Sequence, residues 1–421
     1  MSFVQGLKCR ECQREYATAP LHVCEDCFGP LEVQYDYDGI RKNISREKIA
    51  ARPRNLWRYR ELLPIEGEPR VGLYSGFTPL IRAHRLGQVL GVDELYIKDD
   101  SVNHPTFSYK DRVVSVAISK AIEFGYDTVS CASTGNLANS VSAHAASAGL
   151  NCYVFIPEGL EEGKIVGSAI YGPRTIAIKG TYDDVNRLCS EIGDKYPWAF
   201  VNVNLRPYYS EGAKTHAFEV AEQLGWKLPR HIVVGSAGGT ILPKLGKAFK
   251  ELRTVGLVDP DEPCSIYSAQ AAGCSPIVDA LKKGTDIVDP VKPDTIATSI
   301  AIGNPADGYY VIQTVKETGG WGENVTDEEI LDGIKLLAAT EGIFTEPAGG
   351  TEVAVTRKLI EQGRIPRDES IVISITGNGY KTIETVAHIV DRPYSIDATL
   401  GTFDSLYGEL SQEPRDKAKA G

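Results

Sequence analysis

The sequence predicts an open α/β protein of two domains behind a small cysteine-rich head, and three observations predict it. At 421 residues the chain exceeds what one hydrophobic core usually supports, so two domains and an appendage are expected. From about residue 70, short apolar runs alternate with stretches of helical spacing, the pattern of strands linked by crossover helices. Ahead of that alternation, residues 1–45 hold four of the nine cysteines in two close pairs.

Hydrophobic residues at 42% and charged residues at 24% belong to a globular chain, not a disordered one. The net charge of −11, with no basic run of five or six, argues against nucleic acid as a partner. No stretch approaches 18 uninterrupted apolar residues, so no membrane span is expected. The start carries no charged-then-apolar signal pattern, and the expected location is cytoplasmic. An odd number of cysteines in a long acidic chain fits reduced thiols better than a disulfide scaffold.

The head is the most local signal. Cys9 and Cys12 form one CxxC knuckle and Cys24 and Cys27 a second, eleven residues later. Each knuckle offers two thiolates from one tight turn, and two such turns make a tetrahedral Zn²⁺ site. Strand-like alternation follows over residues 31–37, as in a zinc ribbon. A head that keeps the spacing but holds no metal reads the same way.

Strands are expected at 95–98, 128–131, 152–156, 231–234 and 371–375, and helices at 113–124, 138–148 and 241–252. No period of 20–50 residues repeats, which excludes a solenoid. The polar tail, 406–421, is expected to be loose.

Ligands of open α/β sheets bind beyond the carboxyl ends of the strands, and four strand exits stand out. The first is NHPTFSYKDR at 103–112. It places Lys110 at a helix start, where the dipole disfavours a cation, a setting that suits a lysine bonded to a carbonyl cofactor; a surface lysine occurs in the same setting. The second, Ser133, Thr134, Gly135 and Asn136, is an anion site at a helix N-terminus or a plain helix cap. The third, Gly235, Ser236, Ala237, Gly238, Gly239 and Thr240, presents backbone N–H groups with little side-chain cover, as a phosphate cradle requires. The dinucleotide fingerprint GxGxxG is absent from it. The fourth, Thr376, Gly377, Asn378 and Gly379, sets a hydroxyl at a strand tip, or is a simple turn.

Taken in this order, the four loops resemble those of the fold-type II pyridoxal-phosphate enzymes, and among them the threonine synthase branch. The resemblance runs from about Tyr74 to His388. Residues 103–112 look like that family's lysine motif NPTGSFKDR, 133–136 like its STGN loop, and 235–239 like its loop for the cofactor phosphate. Residues 376–381 look like the segment that reaches the pyridine nitrogen. EGAKT at 211–215, SAQAA at 268–272, SIAIG at 299–303 and the cysteine-rich head followed by YDYD at 35–38 are further family-like stretches. The departures are His104, an insertion, Phe107 in place of a glycine, Tyr109 in place of a phenylalanine, and Arg206, displaced from the usual arginine before the EG pair, where Tyr209 stands.

The resemblance implies a fold-type II architecture of two open parallel-sheet domains. Its boundaries are 1–45 for the zinc-ribbon-like head, 46–109 plus 211–405 for the larger cofactor-binding domain, 110–210 for the smaller domain and 406–421 for the tail. It implies pyridoxal phosphate on Lys110, the ring oxygen beside Asn136, the cofactor phosphate in the loop from Gly235 to Gly239, and Thr376 facing the ring nitrogen. The implied reaction converts O-phospho-L-homoserine and water to L-threonine and phosphate; a replacement reaction such as cysteate synthesis is the alternative on the same scaffold. Two substrate anions need partners, for which Ser133, Thr134, Asn139, Arg206 and Lys214 are the candidates. A homodimer is the default assembly, and the cysteine head would carry structural zinc.

Overall fold

The protein is described by a computed structural model, covering residues 2–133, 135–159, 162–180 and 182–412. Its head is a three-stranded antiparallel sheet in which β1 (Val4–Cys9) lies between β2 (Glu15–Tyr16) and β3 (Leu31–Tyr35). Along β3, Leu31, Val33 and Tyr35 point inward while Glu32 and Gln34 alternate outward, the period of two that a strand imposes. The strand stops at Tyr35, two residues short of the expected end. Asp36 accepts a hydrogen bond from the Gly39 N–H at 2.9 Å and caps a helix over Tyr37–Asn43, so the local side-chain bond competes successfully with the ladder.

The next strands are β4 (Leu80–Arg82), β5 (Leu95–Asp99), β6 (Thr128–Ala132), β7 (Asn151–Pro157), β8 (Arg174–Ile178) and β9 (Ala199–Phe200). They are followed by β10 (His231–Gly235), β11 (Ser265–Ala271), β12 (Gly322–Val325) and β13 (Ile371–Ile375). A six-stranded sheet has the order β12-β11-β10-β13-β5-β4, and a four-stranded sheet the order β8-β7-β6-β9. The smaller sheet is wholly parallel. The larger departs from the expected all-parallel form at its edge, where β4 runs antiparallel to β5, a common ending for an otherwise parallel sheet. Strands β6, β10 and β13 are buried at every residue. Coverage on both faces is why β10 and β13 read as near-continuous apolar runs without alternation, while β6 fills its buried positions with small residues, among them Ser130, which donates to the Tyr153 carbonyl at 2.9 Å.

Charge is buried deliberately in two places. Behind the helix Lys110–Glu123, the Arg112 guanidinium donates to Asp100 at 2.6 Å and 2.7 Å and to Glu219 at 2.5 Å and 2.8 Å. Lys98 meets the same Glu219 at 2.7 Å. All four side chains are fully buried, so their desolvation is offset only while every partner is present.

The second cluster joins the head to the body. Lys244 contacts Glu32 of β3 and, at 2.6 Å, Glu211; Lys247 reaches Glu32 at 2.9 Å. Tyr35 donates to Glu211 at 2.8 Å and Tyr37 to Glu251 at 2.9 Å. Leu7, Val33, Tyr35 and Ile40 belong to the same hydrophobic cluster as Leu245 and Phe249 of the helix Ile241–Thr254. The head therefore shares the core of the body.

The tail departs from its expectation. Residues 406–412 continue a helix, Leu400–Gln412, at whose start the Thr399 hydroxyl accepts from the Thr402 N–H at 3.3 Å. Residues 413–421 lie outside the described residues. Among the described residues no helix is long and apolar enough to cross a membrane.

Candidate active site

Strands β10, β13 and β5 are consecutive neighbours, so their carboxyl ends open onto one edge of the larger sheet. The loop from β5 is held tightly there. Asn103 accepts from the Gly76 N–H at 2.8 Å and donates to the Ser108 carbonyl at 3.0 Å. Thr106 donates through its N–H and its hydroxyl to the Asp111 carboxylate, at 3.0 Å and 2.8 Å. The Tyr109 N–H donates to the Thr376 carbonyl at 2.9 Å, and the Asn378 N–H to the Phe107 carbonyl at 3.2 Å. The loops from β5 and β13 are thereby stitched together, with half-buried Lys110 as the first residue of the helix that follows. Phe107 has a φ of 59°, the left-handed region that glycine occupies without strain.

Asn136 opens the helix Asn136–Ala148 after β6 and brings the smaller sheet to the same place. Its amide N–H group lies 3.1 Å and 3.0 Å from the two Glu346 oxygens, and its carbonyl accepts from the Lys381 ammonium at 2.6 Å. Glu346 precedes the helix Pro347–Glu361 and also accepts from the Ser299 hydroxyl at 3.1 Å. A Cβ on Gly377 would stand 2.4 Å from the Glu346 carboxylate carbon; glycine is required there for that close approach.

The loop after β10 has the features of an anion cradle. The N–H groups of Ala237, Gly238, Gly239 and Thr240 donate to no acceptor among the described residues, and the helix Ile241–Thr254 starts directly behind them. A Cβ on Gly238 would meet nothing within 4 Å, so this backbone faces open space. Gly239 takes a φ of 93° while its own would-be Cβ runs into Asp307 at 2.9 Å. Gly235 and Ser236 are fixed from beneath. The Gly235 N–H donates to Glu352 at 2.7 Å, and the Ser236 hydroxyl meets that of Ser268 at 2.8 Å. Burial raises the Glu352 carboxyl well above its ordinary value despite that N–H, and Glu346 and Asp100 add to the rise.

Residues 71–377 match the pyridoxal-phosphate dependent enzyme family. The chain belongs to that family. It is 38% identical over 408 residues to the threonine synthase of Methanocaldococcus jannaschii, covering 96% of this chain and 99% of the relative. The threonine synthase of Methanosarcina acetivorans is 38% identical with the same coverages. In three dimensions the chain resembles processed threonine deaminase isoform 2 of Solanum lycopersicum, with a TM-score of 0.62, 20% identity, and 75% and 88% of the two chains covered. Maize serine racemase aligns with a TM-score of 0.60 and 19% identity over 81% and 96% of the chains. The fold is that of a fold-type II pyridoxal-phosphate enzyme.

The cleft suits the family's cofactor. A ring phosphate needs unpaired N–H donors in a space without side chains, and residues 237–240 provide both. Thr376 sits at the tip of β13 with its hydroxyl uncommitted among the described residues. The Thr240 hydroxyl, in contrast, donates to Asp307 at 3.2 Å, which ties down the loop.

The substrate candidates separate. Ser133 accepts from the Gly135 N–H at 3.4 Å, a local turn bond ahead of the helix, whose N-cap Gly135 has no side-chain cap bond, and Thr134 lies outside the described residues. Half-buried Asn139 lies against Gly167, whose Cβ would stand 3.2 Å from the amide. Arg206 pairs with Asp307 at 2.8 Å, and the Asp307 N–H donates to the Gly238 carbonyl at 2.9 Å; Arg206 meets the phosphate loop through Asp307. Lys214 is corrected. Its fully buried ammonium lies 2.7 Å from Glu211 and 2.8 Å from Glu251, in the cluster that seats the head, and reaches no cleft.

Glu346, Lys381, Ser299 and Asp307 have places in or beside this site that sequence reasoning did not assign. Glu346 had one legible signal, a carboxylate directly before a proline that starts a helix. In the head, the sulfurs of Cys9, Cys12, Cys24 and Cys27 all lie within 4.8 Å of one another, and all nine cysteines are free. Tetrahedral zinc with bonds of about 2.3 Å separates its sulfurs by roughly 3.8 Å, so the four residues could hold it with small adjustment.

Proposed function

We propose that this protein makes L-threonine and phosphate from O-phospho-L-homoserine and water. The observation that carries this reading is the near full-length identity to threonine synthases, together with the lysine loop, Asn136, the phosphate cradle and Thr376 at the ends of strands β5, β6, β10 and β13.

When bound, pyridoxal phosphate supplies the electron sink that makes protons at the substrate's Cα and Cβ removable. Lys110 would be the attachment point, and its amine would hold and move protons at those carbons. Asn136 donates to the ring oxygen. The N–H groups of residues 237–240 hold the cofactor phosphate. The Thr376 hydroxyl would face the ring nitrogen, where a hydroxyl, unlike a carboxylate, would not enforce a protonated ring. Ser133, Thr134 and Asn139, on the loop and helix after β6, bind the substrate's anionic groups. Arg206, through Asp307, holds the phosphate loop in register. Phosphate leaves from Cγ and water adds at Cβ, which balances the reaction without a further reactant.

Incubating the purified protein with O-phospho-L-homoserine while measuring threonine and phosphate tests the reading; equimolar release of both is expected. Turnover of phosphoserine plus sulfite, with none of phosphohomoserine, would overturn it in favour of a replacement enzyme.

A further inference from the structure

Lys381 has no part in the reaction just described, yet it joins three segments of the site. Its ammonium donates to the Asn136 side-chain carbonyl at 2.6 Å, to the Phe107 carbonyl at 2.9 Å and to the Thr106 carbonyl at 3.3 Å. On the other side of the same amide lies the Glu346 carboxylate, at 3.0 Å and 3.1 Å from the amide nitrogen.

The two neighbours are chemically opposite, and that decides the orientation. An ammonium only donates and an ionised carboxylate only accepts. The Asn136 carbonyl must therefore face Lys381, and its NH₂ must face Glu346. Turning the amide by half a revolution would set donors against donors and acceptors against acceptors, forfeiting both contacts. An asparagine without such neighbours has two nearly equivalent orientations. In the clamped amide one N–H serves the carboxylate and the second is left for a ligand oxygen. Burial lowers the Lys381 amine, while Glu346 and Asp111 oppose the shift. The Ser299 hydroxyl and the N–H-bonded backbone of Glu346 fix the acceptor side, at 3.1 Å and 3.2 Å.

We propose that Lys381 is a positioning residue which, with Glu346, locks the Asn136 amide so that an N–H faces the cofactor. The proposal rests on the reading that Asn136 contacts the cofactor's ring oxygen. The rival role is a strut, in which Lys381 merely supports the lysine loop through the Phe107 and Thr106 carbonyls.

A double-mutant cycle separates the two. The measurement is titration of the apo-enzyme with pyridoxal phosphate, read as a dissociation constant and as the position of the bound cofactor's absorption band. Asn136→Ala and Lys381→Met are each expected to weaken binding about tenfold or more, the scale of one charge-assisted hydrogen bond, and to move the band. The double variant is expected to bind within about twofold of Asn136→Ala alone, and Lys381→Arg, which keeps a cationic donor, to recover the band position. If Lys381→Met has no effect, or weakens binding equally in the Asn136→Ala background, the positioning role is wrong. If Asn136→Ala itself changes neither readout, the underlying reading of Asn136 falls and this proposal with it. Lys381→Gln carries the same cycle if the methionine variant does not fold.

Discussion

The cysteine head and the lysine-centred cleft are both shaped for a group the polypeptide does not supply, but different forces hold them in shape. In the head, four like ligands come from two turns close in sequence, and their sulfurs lie within 4.8 Å of one another, a set that one metal ion could bridge. In the cleft, contributions range from Gly76 to Lys381, and protein groups already satisfy one another through Asn136, Glu346, Asp111 and the paired loops. One site gathers four groups from two short turns; the other presets donors drawn from across the chain. Catalysis favours the second kind, since pre-set donors need no reorganisation when charge develops.

The strongest way to break the contrast is at Lys110. Lys110→Ala should lower threonine formation by about 10³-fold or more, as expected for losing the proton-moving group, while the rest of the cleft stays formed. Borohydride reduction of the wild-type holoenzyme should label Lys110 in peptide mapping. A label on Lys381, the other amine of the cleft, would reassign the attachment point.

Next comes the buried network behind the lysine loop. Arg112→Met leaves Asp100 and Glu219 without their guanidinium, and a stability loss of about 3–5 kcal/mol is expected, measurable by denaturant unfolding. A loss under 1 kcal/mol would mean that the pre-organisation of the cleft does not depend on this ion cluster.

Gly238→Asp should act on the ligand alone. The Cβ has open space, so the fold should survive, while the added carboxylate repels the cofactor phosphate and weakens binding by roughly tenfold or more. Unchanged cofactor affinity would remove this loop from the site.

The head should respond more locally. Elemental analysis is expected to give about one zinc per chain, and Cys24→Ser to lose it while most threonine formation persists. Hydrogen exchange should rise over residues 9–30 but not over 31–40, because Leu31, Val33, Tyr35 and Ile40 are anchored in the main core. The smallest effect is acid loosening. Burial pushes the Glu32 carboxyl up, but Lys244 and Lys247 outweigh it and hold it at about 2, below its ordinary value of 4.5. A depressed carboxylate stabilises above its unfolded value, and the contribution is lost as pH falls through the folded one. Pepsin cleavage within residues 1–45 should therefore increase between about pH 4 and pH 2, and Lys244→Met should move that increase to higher pH.

The same contrast governs what could be read from residues alone. The head's ligands were legible because two short knuckles complete the set. Strands β10 and β13 were legible because burial on both faces leaves apolar runs. The glycine loop after β10 announced its permissive backbone. Other features depended on distant partners. Lys214, inside the glycine-containing EGAKT stretch, looks available for an anion, and only the fold shows Glu211 and Glu251 around it. Lys381 and Glu346 lie 35 positions apart, and neither reveals that it faces the other across Asn136. The over-long reading of β3 has a local cause, a capping bond from Asp36 that alternation cannot register.

Phe107 stands where the related lysine motif has a glycine, and its φ of 59° lies in the left-handed region that favours glycine. The bulky side chain gains no contact that would explain it, being about half exposed at 52%. The residue is held on both sides: its N–H donates to the Asn103 carbonyl at 2.8 Å, and its carbonyl receives both the Asn378 N–H and the Lys381 ammonium. Residue 107 is thus a wound spring held shut from the far end of the chain. Release those two donors and the lysine loop has an energetic reason to unwind; Phe107→Gly would remove the tension, and the loop would then stay put only as firmly as its remaining bonds require.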